Sequence, residues 1–578
     1  MAHHPDHCSG RDGGALNPEA GREKEVTPAH GSPTLNAKLH KQGAIREAMM
    51  GSSSRSRGGP TPGGNDTQMT RRDVLALAAL GAIVGAPAKA TAAGPAGQLV
   101  YGVHISLAPT WFDPAETPSL VTPYMIYYAL HDAMLKPMPG EPMAHSMAES
   151  WSATEDGMNY SFVLRDGVTF HNGERVTADD VKFSFERYRG AAKATLHDRV
   201  ASVDIADARH IAFRLKNPWP DFLTFYAATT GAGWIVPKKY VEKVGDDGFK
   251  KAPIGVGPYK FVSFTPGVEL VLEANENYWR KLPSVKRLVL KVIPEEATRL
   301  AALKRGEVDV AYSIRAELAQ ELQQTPGLTL KPTVIQSPFW LYFPEQWDAK
   351  SPWHDVRVRQ AARLALDLKT INQALTLGYS HIHGSMIPDN FEFFWKPPEP
   401  VYDPASAEAL LAEAGYPNGF DAGYYNCDSS YANLAEATNN YLGAVGIRAK
   451  LRPLERVSFN QQFMEKKLKN IIQAGSGSFG NAATRFETFV VKGGAYAYGS
   501  YPDLDAMFEQ QAVELDHGKR AEILDKMQQI LYERVIGTHL WQLAFINGVG
   551  PRVGESSFGR IPGFPYTAPY DELTLKSS

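Results

Sequence analysis

Within Tyr160–Gly190, YSFVLRDGVTFHNGERVTADDVKFSFERYRG, residue order dictates a strand, a tight strand pair and an amphipathic helix in close succession. Whatever this chain folds into must therefore hold sheet and helix side by side. Phe162 and Leu164 share one parity, and Arg165 and Asp166 close the run ahead of Gly167, a half-buried strand ending in an Asp-Gly turn. Val168–Phe170 reads as a second short strand, and His171-Asn172-Gly173 turns the chain again. Thr177 is placed to cap a helix. Ala178 is a good helix former, and Asp179 and Asp180 put negative charge where unpaired N–H groups of the first turn favour it. Val181, Phe185 and Tyr188 fall at i, i+4 and i+7 and give the helix one apolar face, with Lys182, Glu186 and Arg189 pointing elsewhere.

Later segments add parallel strands to this picture. Leu288–Ile293 is a mostly apolar strand. Pro294 then takes the first helical position, Glu295 and Glu296 the first turn, Lys304 and Arg305 the last, with Gly306 just beyond. Val308–Tyr312 is a strand again, so the unit is a crossover, which predicts an α/β lobe with parallel pairing. A strand over Gly446–Leu454 after a helix indicates a second α/β layer. Gly255-Val256-Gly257 lacks a following Lys-Ser/Thr pair in Walker spacing and reads as a turn into a strand rather than a phosphate loop.

The 578 residues carry a formal charge of -3 and are 43% hydrophobic, which is globular composition sufficient for two or three domains and no argument for nucleic acid or an anionic membrane surface. Residues 1–68 differ: Gly, Pro, Ser, His and charge dominate, so disorder is expected, or a start called too early, with translation beginning at Met49, Met50 or Met69. His3, His4, His7 and Cys8 have no second cluster at metal-site spacing and are not read as ligands. Thr70-Arg71-Arg72, an apolar run Val74–Ala86, and small residues at Ala88-Lys89-Ala90 or Thr91-Ala92-Ala93 make a twin-arginine export signal over 69–93. The apolar run is too short for a permanent span. No cysteine lies near the cleavage site, so a periplasmic protein without a lipid anchor is expected; Cys427 then stands alone and can form no internal disulfide.

The run FVLRDGVTFHNGERVTADDVKFSFERY resembles the signature region of the extracytoplasmic solute-binding proteins that serve peptide- and nickel-type ABC importers, family 5. Further resemblances lie at Leu99–Val103 with the loop Ala108–Pro114, at Gly255–Phe261, at Ser351–Ala361 and at LLAEAGYPNGF (Leu410–Phe420). They imply a two-lobed periplasmic-binding-protein fold of the type II-like α/β class, with an extra subdomain in the first lobe. The implied division is lobe I over 97–144, 252–338 and 546–578, the subdomain over 145–251, and lobe II over 339–545.

The same resemblance implies a receptor that closes on a small solute and delivers it to importer membrane subunits, with no cofactor, no nucleic acid partner and a monomer as default. It places these residues at the cleft: Trp111 and Phe112 after the first strand, Trp234, Trp340 and Tyr342 at the lobe crossing, Ser476, Phe479, Asn481 and Arg485 in GSGSFGNAATRF, and Tyr496 and Tyr498 beyond. Core packing competes with ligand contact for every aromatic among them. Peptide receptors of the family place an aspartate in this loop to pair with a peptide's amino terminus; here no acid occurs from Gly475 to Arg485 and the first is Glu487, which argues against a free peptide. Arg485 could instead meet a carboxylate or phosphate. A metal-chelate receptor, using His381 and His383, is the alternative reading. A periplasmic hydrolase ranks last, because no nucleophile elbow or His-Glu-x-x-His motif stands out.

Overall fold

β1 (Ala96–Val103) opens the first lobe, and it is the strand on which that lobe's sheet is wound. The computed structural model describes residues 94–117, 122–190, 192–227, 230–475, 480–561, 564 and 566–577. The expected disordered or mis-called segment 1–68, the signal 69–93, and Ser476 and Phe479 lie outside the described residues.

After β1 the helix Tyr124–Leu130 is buried along its whole length, and the hairpin β2 (Leu135–Met138) and β3 (Glu141–His145) follows. The segment Pro123–Leu135 is helix-like in sequence, and the structure ends the helix at Leu130. The chain leaves the helix at His131 so that Asp132, wholly buried, can pair with Lys136 and accept from Ser146 Oγ (3.0 Å), Tyr278 Oη (3.0 Å) and Trp279 Nε1 (2.8 Å). A buried carboxylate demands that many partners, and the demand outweighs helix propensity.

The signature stretch builds a separate antiparallel sheet of β4 (Ala148–Ala153), β5 (Asn159–Leu164), β6 (Val200–Ile205) and β7 (His210–Leu215), in the order β4-β5-β7-β6. Val168–Phe170 is not a full strand. The 171–174 turn is so tight that a single bridge, Thr169 to Arg175, is left. The helix Ala178–Glu186 is present and carries a capping box: Asp180 Oδ2 accepts from Thr177 N (2.9 Å) while Thr177 caps the first turn. Asp180 Oδ1 also accepts from Lys238 N (2.9 Å), so this acid serves a cross-element bond as well as the helix dipole. Val181, Phe185 and Tyr188 are buried, and Phe185 meets Phe213 of the sheet edge-on at 5.2 Å. Thr177→Ala is expected to lower stability by about 1 kcal/mol, read as a lower thermal midpoint with the far-UV spectrum unchanged.

The chain returns through Gly255 and Gly257, where the structure supplies the reason for glycine. A Cβ at Gly255 would lie 1.9 Å from Leu130 O, and one at Gly257 would lie 2.5 Å from Ala129 O, so the segment packs backbone against the end of the buried helix. β8 (Tyr259–Thr265), β9 (Glu269–Ala274), β10 (Val285–Val292) and β11 (Val310–Ile314) complete the lobe. β1 pairs in parallel with both β10 and β11, so the predicted crossover is present. Its helix, Glu296–Lys304, begins later than expected. Pro294 stands ahead of it, and Glu295 is the cap, its carboxylate accepting from Ala297 N (2.9 Å) and Thr298 N.

Two long strands join the lobes. β12 (Thr329–Tyr342) leaves lobe I; lobe II adds β13 (Phe420–Asp428), β14 (Ile447–Leu454) and β15 (Ile471–Gly475); β16 (Gly537–Val549) returns, and the hairpin β17 (Val553–Glu555) and β18 (Thr574–Leu575) ends the chain. The segments Gly537–Leu543 and Ala544–Gly550, expected from sequence to carry the chain back to the first lobe, fall almost entirely in the single strand β16. Apart from the terminal hairpin, the strands of both lobes form a single ten-stranded mixed sheet in the order β14-β13-β15-β12-β16-β11-β1-β10-β9-β8. β12 and β16 pair antiparallel from Thr329–Val549 to Tyr342–Gly537, broken by register shifts between Val334 and Pro338 and between Phe339 and Trp340. The protein is thus two-lobed α/β, with both crossings side by side at the middle of the sheet. Among the described residues no helix is long and apolar enough to cross a membrane.

Candidate functional site: the crevice between the lobes

Parallel strands of both lobes stop at the same gap. Ligands of open α/β sheets bind outside the carboxyl ends of parallel strands, where strand order reverses, and β1, lying between β10 and β11, is such a point. A cavity of about 200 Å³ sits there. Lobe I lines it with Glu296 after β10 and Ser313–Arg315 at the end of β11; lobe II contributes Ser430, Tyr431 and Asn433 just after β13; Phe339 of β12 and Trp541 and Phe545 of β16 close the hinge side. An aromatic wall with a few converging polar groups is the composition of a small-molecule site.

The lobe I rim is held by one buried cation. Arg299 donates to Ile293 O (2.7 Å), Pro294 O (3.0 Å), Tyr312 O (2.6 Å) and Ser313 O (2.5 Å), tying the end of β10 to the end of β11. Burial, helped by Arg299 and Arg456, pushes the His104 imidazole at the end of β1 down to about 3. On the facing lobe the Arg456 guanidinium lies 5.5 Å from the Tyr431 ring centre and donates to Asp428 Oδ2 at 2.7 Å. Glu296 and Arg315 pair with each other and cancel most of the local charge.

Away from the hinge, a second contact spans the lobes. Asp221 of the subdomain accepts from Asn481 Nδ2 (2.5 Å) and Arg520 Nη2 (2.5 Å), both of lobe II, and Arg520 is further held by Gln511 Oε1 (3.0 Å). The Asp221 and Arg520 side chains are 10% and 5% exposed. Arg199 and Glu487 make a looser neighbouring pair at 3.4 Å, both over a third exposed.

The residues expected at the cleft scatter into three groups. Phe112 is fully buried against Phe261 and Phe264, and Trp234 packs against Tyr124, Tyr127 and Tyr128; both belong to the lobe I core, with Trp111 half-buried at its edge. Trp340, Tyr342, Arg485, Tyr496 and Tyr498 do come together, but inside lobe II: Tyr496 stacks on Phe489 at 5.3 Å, and Tyr342 Oη accepts from Tyr498 N at 3.0 Å. Asn481 alone among those described touches the opposite lobe. It also caps the helix Ala482–Phe489 by accepting from Thr484 N. Sequence reasoning missed Tyr431, Arg315, Asp221 and Arg520. Arg315 and Tyr431 were within reach, since each lies within three residues of a parallel strand's carboxyl end. His381 and His383 offer no metal cradle. His381 Nδ1 pairs with Asp389 (3.0 Å), His383 Nε2–H donates to Gln542 Oε1 (3.1 Å), and among the described residues no group of three His, Cys, Asp or Glu could hold an ion.

Residues 143–497, more than half of the chain, match the family described as bacterial extracellular solute-binding proteins, family 5 Middle. The chain belongs to that family. Heme-binding protein A of Haemophilus influenzae is 30% identical over 314 residues, a match that spans 48% of this chain and 55% of the relative. Glutathione-binding protein GsiB of Pectobacterium atrosepticum is 26% identical over 401 residues, 67% of this chain and 76% of the relative. The ABC transporter substrate-binding protein CtaP of Listeria monocytogenes has the same fold, with a TM-score of 0.73 over 83% of this chain and 99% of its own, at 22% identity. Family 5 membership agrees with the two-lobed architecture.

Proposed function

We propose that this family 5 protein is the periplasmic receptor of an ABC importer, taking a small organic solute other than a simple free peptide into the crevice by hinge closure. The observation that carries the reading is a polar, aromatic-walled cavity lined by both lobes beside a paired-strand hinge. A solute touching both lobes favours the closed form by its differential affinity for closed over open, and the importer's membrane subunits need read only that difference. No bond is made or broken. Micromolar affinity would require about 8 kcal/mol, within reach of one such cavity.

Relatives named for heme and glutathione show how wide the family's range of solutes is. Against a simple peptide stands Asn481: its amide nitrogen is taken by Asp221, and no acid occupies Gly475–Arg485. Ser476 and Phe479, which follow β15 in sequence, remain our proposed lobe II contacts, as does Tyr431. The division into lobe I, subdomain 145–251 and lobe II 339–545 belongs to the same reading, as do twin-arginine export, release without a lipid anchor, action as a monomer and the absence of enzymatic turnover.

A thermal-shift panel of peptides, opines, oligosaccharides and metal chelates, followed by small-angle scattering of the hits, tests this. One non-peptide class should raise the midpoint and reduce the radius of gyration of a monomer. Tight calorimetric binding of unmodified di- or tripeptides would sink the solute assignment. Stoichiometric metal in untagged protein would favour the chelate, and loss of the solute on incubation would overturn a binding-only role.

A further inference from the structure

The wall of the crevice carries ionised side chains, yet it offers a solute no unpaired charge. Among the described residues, only Glu296 and Arg315 bring charge to the cavity lining, and they pair with each other. Behind them Arg299 is taken up by four carbonyl oxygens, and on the facing lobe Arg456 donates to Asp428. With Glu295, the cap of the helix Glu296–Lys304, three carboxylates stand against three guanidiniums. Beyond residue 93, the residues outside the described ones all lack an ionisable side chain, so none of them can shift this balance. An ionic solute would leave its own charge uncompensated or break an existing pair, and either is strongly unfavourable.

What the wall does offer is neutral polar groups on both lobes. Ser313 Oγ of lobe I, and Ser430 Oγ and Asn433 Nδ2 of lobe II, line the cavity without a hydrogen-bond partner among the described residues. Ser313 is set in place by the backbone. The β11–β16 register shifts between Ala311 and Ile314, and Ser313 takes a left-handed φ of 51°, uncommon for a residue with a Cβ. Its N–H donates to Asn547 Oδ1 at 3.0 Å and its carbonyl accepts from Arg299, so that conformation is held from both sides. A backbone held against its preference beside a cavity points to a side chain aimed at a ligand. The rest of the wall is flat and apolar: Phe339 meets Tyr431 edge-on at 4.8 Å, and Trp541 and Phe545 line the same space.

We propose, on the receptor reading above, that the crevice takes an uncharged polyhydroxylated ring, a sugar or cyclitol, with its C–H face on the aromatic wall and its hydroxyls on Ser313, Ser430 and Asn433. A hydroxyl both donates and accepts, so it matches a serine on one lobe and a serine with an amide on the other without any ion. A ring with an apolar face and a hydroxyl rim satisfies both halves of the wall, and a cavity of about 200 Å³ holds about one such ring. Contacts on both lobes make the same ring favour closure.

The test is calorimetry on the purified protein with myo-inositol and with glucose, galactose and mannose, each sugar set beside its uronic acid and its 2-amino form. At least one neutral ring should bind, with an affinity that added sodium chloride leaves unchanged, and its charged forms should bind about a hundredfold more weakly. Ser313→Ala and Asn433→Ala should each weaken binding of the neutral ring about fivefold while the thermal midpoint without solute holds. Where a variant fails to fold, the wild-type comparison of neutral with charged rings still decides. No binding by any neutral ring, tighter binding by a charged form, or unchanged affinity in both variants would each overturn the assignment. Small-angle scattering separates this outcome from the receptor reading. A charged solute that shrinks the protein sinks the sugar and leaves the receptor, whereas a neutral ring that binds without shrinkage sinks hinge closure and leaves the sugar.

Discussion

Asp221→Ala is expected to penalise the closed form by about 3–5 kcal/mol, because it leaves Arg520 buried with its charge uncompensated. In the open form both side chains return to water, so the penalty falls on closure alone. A closed form that much less favourable weakens solute binding by a hundredfold or more, at about 1.4 kcal/mol per factor of ten. Calorimetric affinity for the solute found in the screen, together with the radius of gyration of the unliganded protein, reads both consequences. The double variant Asp221→Ala/Arg520→Met should recover much of the loss, since removing both charges leaves neither stranded. Arg199→Ala, at the neighbouring exposed pair, should change affinity by no more than about 1 kcal/mol. Unchanged affinity and unchanged dimensions in Asp221→Ala would show that the carboxylate does not hold the lobes together.

Acid should unfold this protein well above the pH at which its carboxylates titrate. His131 is wholly buried, its Nε2–H donates to Phe112 O at 3.0 Å, and burial holds its pKa down at about 4. His171 is held in the neutral tautomer from both sides: Nε2–H donates to Gly257 O (3.0 Å), and Nδ1 accepts from Gly255 N (3.3 Å), with burial bringing its pKa to about 3. A proton on Nδ1 would cost that second bond. The sign follows from proton binding: below pH 6.5 the unfolded chain protonates these imidazoles and the folded chain does not. Stability is complete above pH 6.5 and falls as pH drops toward 4 and 3. Over that window His131 accounts for about 3 kcal/mol and His171 for about 5 kcal/mol. Urea unfolding at pH 7 and pH 4.5 should show a large fall in stability, with uptake of more than two protons on unfolding, since burial holds down His104 and His539 as well. A flat profile between those values would contradict the burial of both rings.

Much of the fold was legible because local signals agreed with one another. Thr177 with Asp180 defines a helix start, and the strand–helix–strand around Glu296–Lys304 defines a parallel pair, wherever they sit in a chain. The errors have a common cause. The helix ending at Leu130, the cap at Glu295 and the pairing of Asp221 with Arg520, 299 residues apart, are each decided by partners distant in sequence. The site was less legible than the fold for a related reason: Trp, Tyr and Phe fill cores as readily as crevices, so Phe112, Trp234 and Trp340 could not be sorted by type. Strand polarity was the better guide, since Arg315 and Tyr431 are placed by where β11 and β13 end.

β12 and β16 are bonded to each other along nearly their whole length, with slips at Val334–Pro338 beside Ala544 and Gln542 and at Phe339–Trp340 beside Trp541 and His539. Two separate tethers would let one half of the molecule slide or swivel past the other, but a laced ribbon resists both, since either would tear the ladder. What it allows is flexing across its width at the slips. A joint that bends but resists sliding narrows the path between open and closed forms, whatever guest the protein carries.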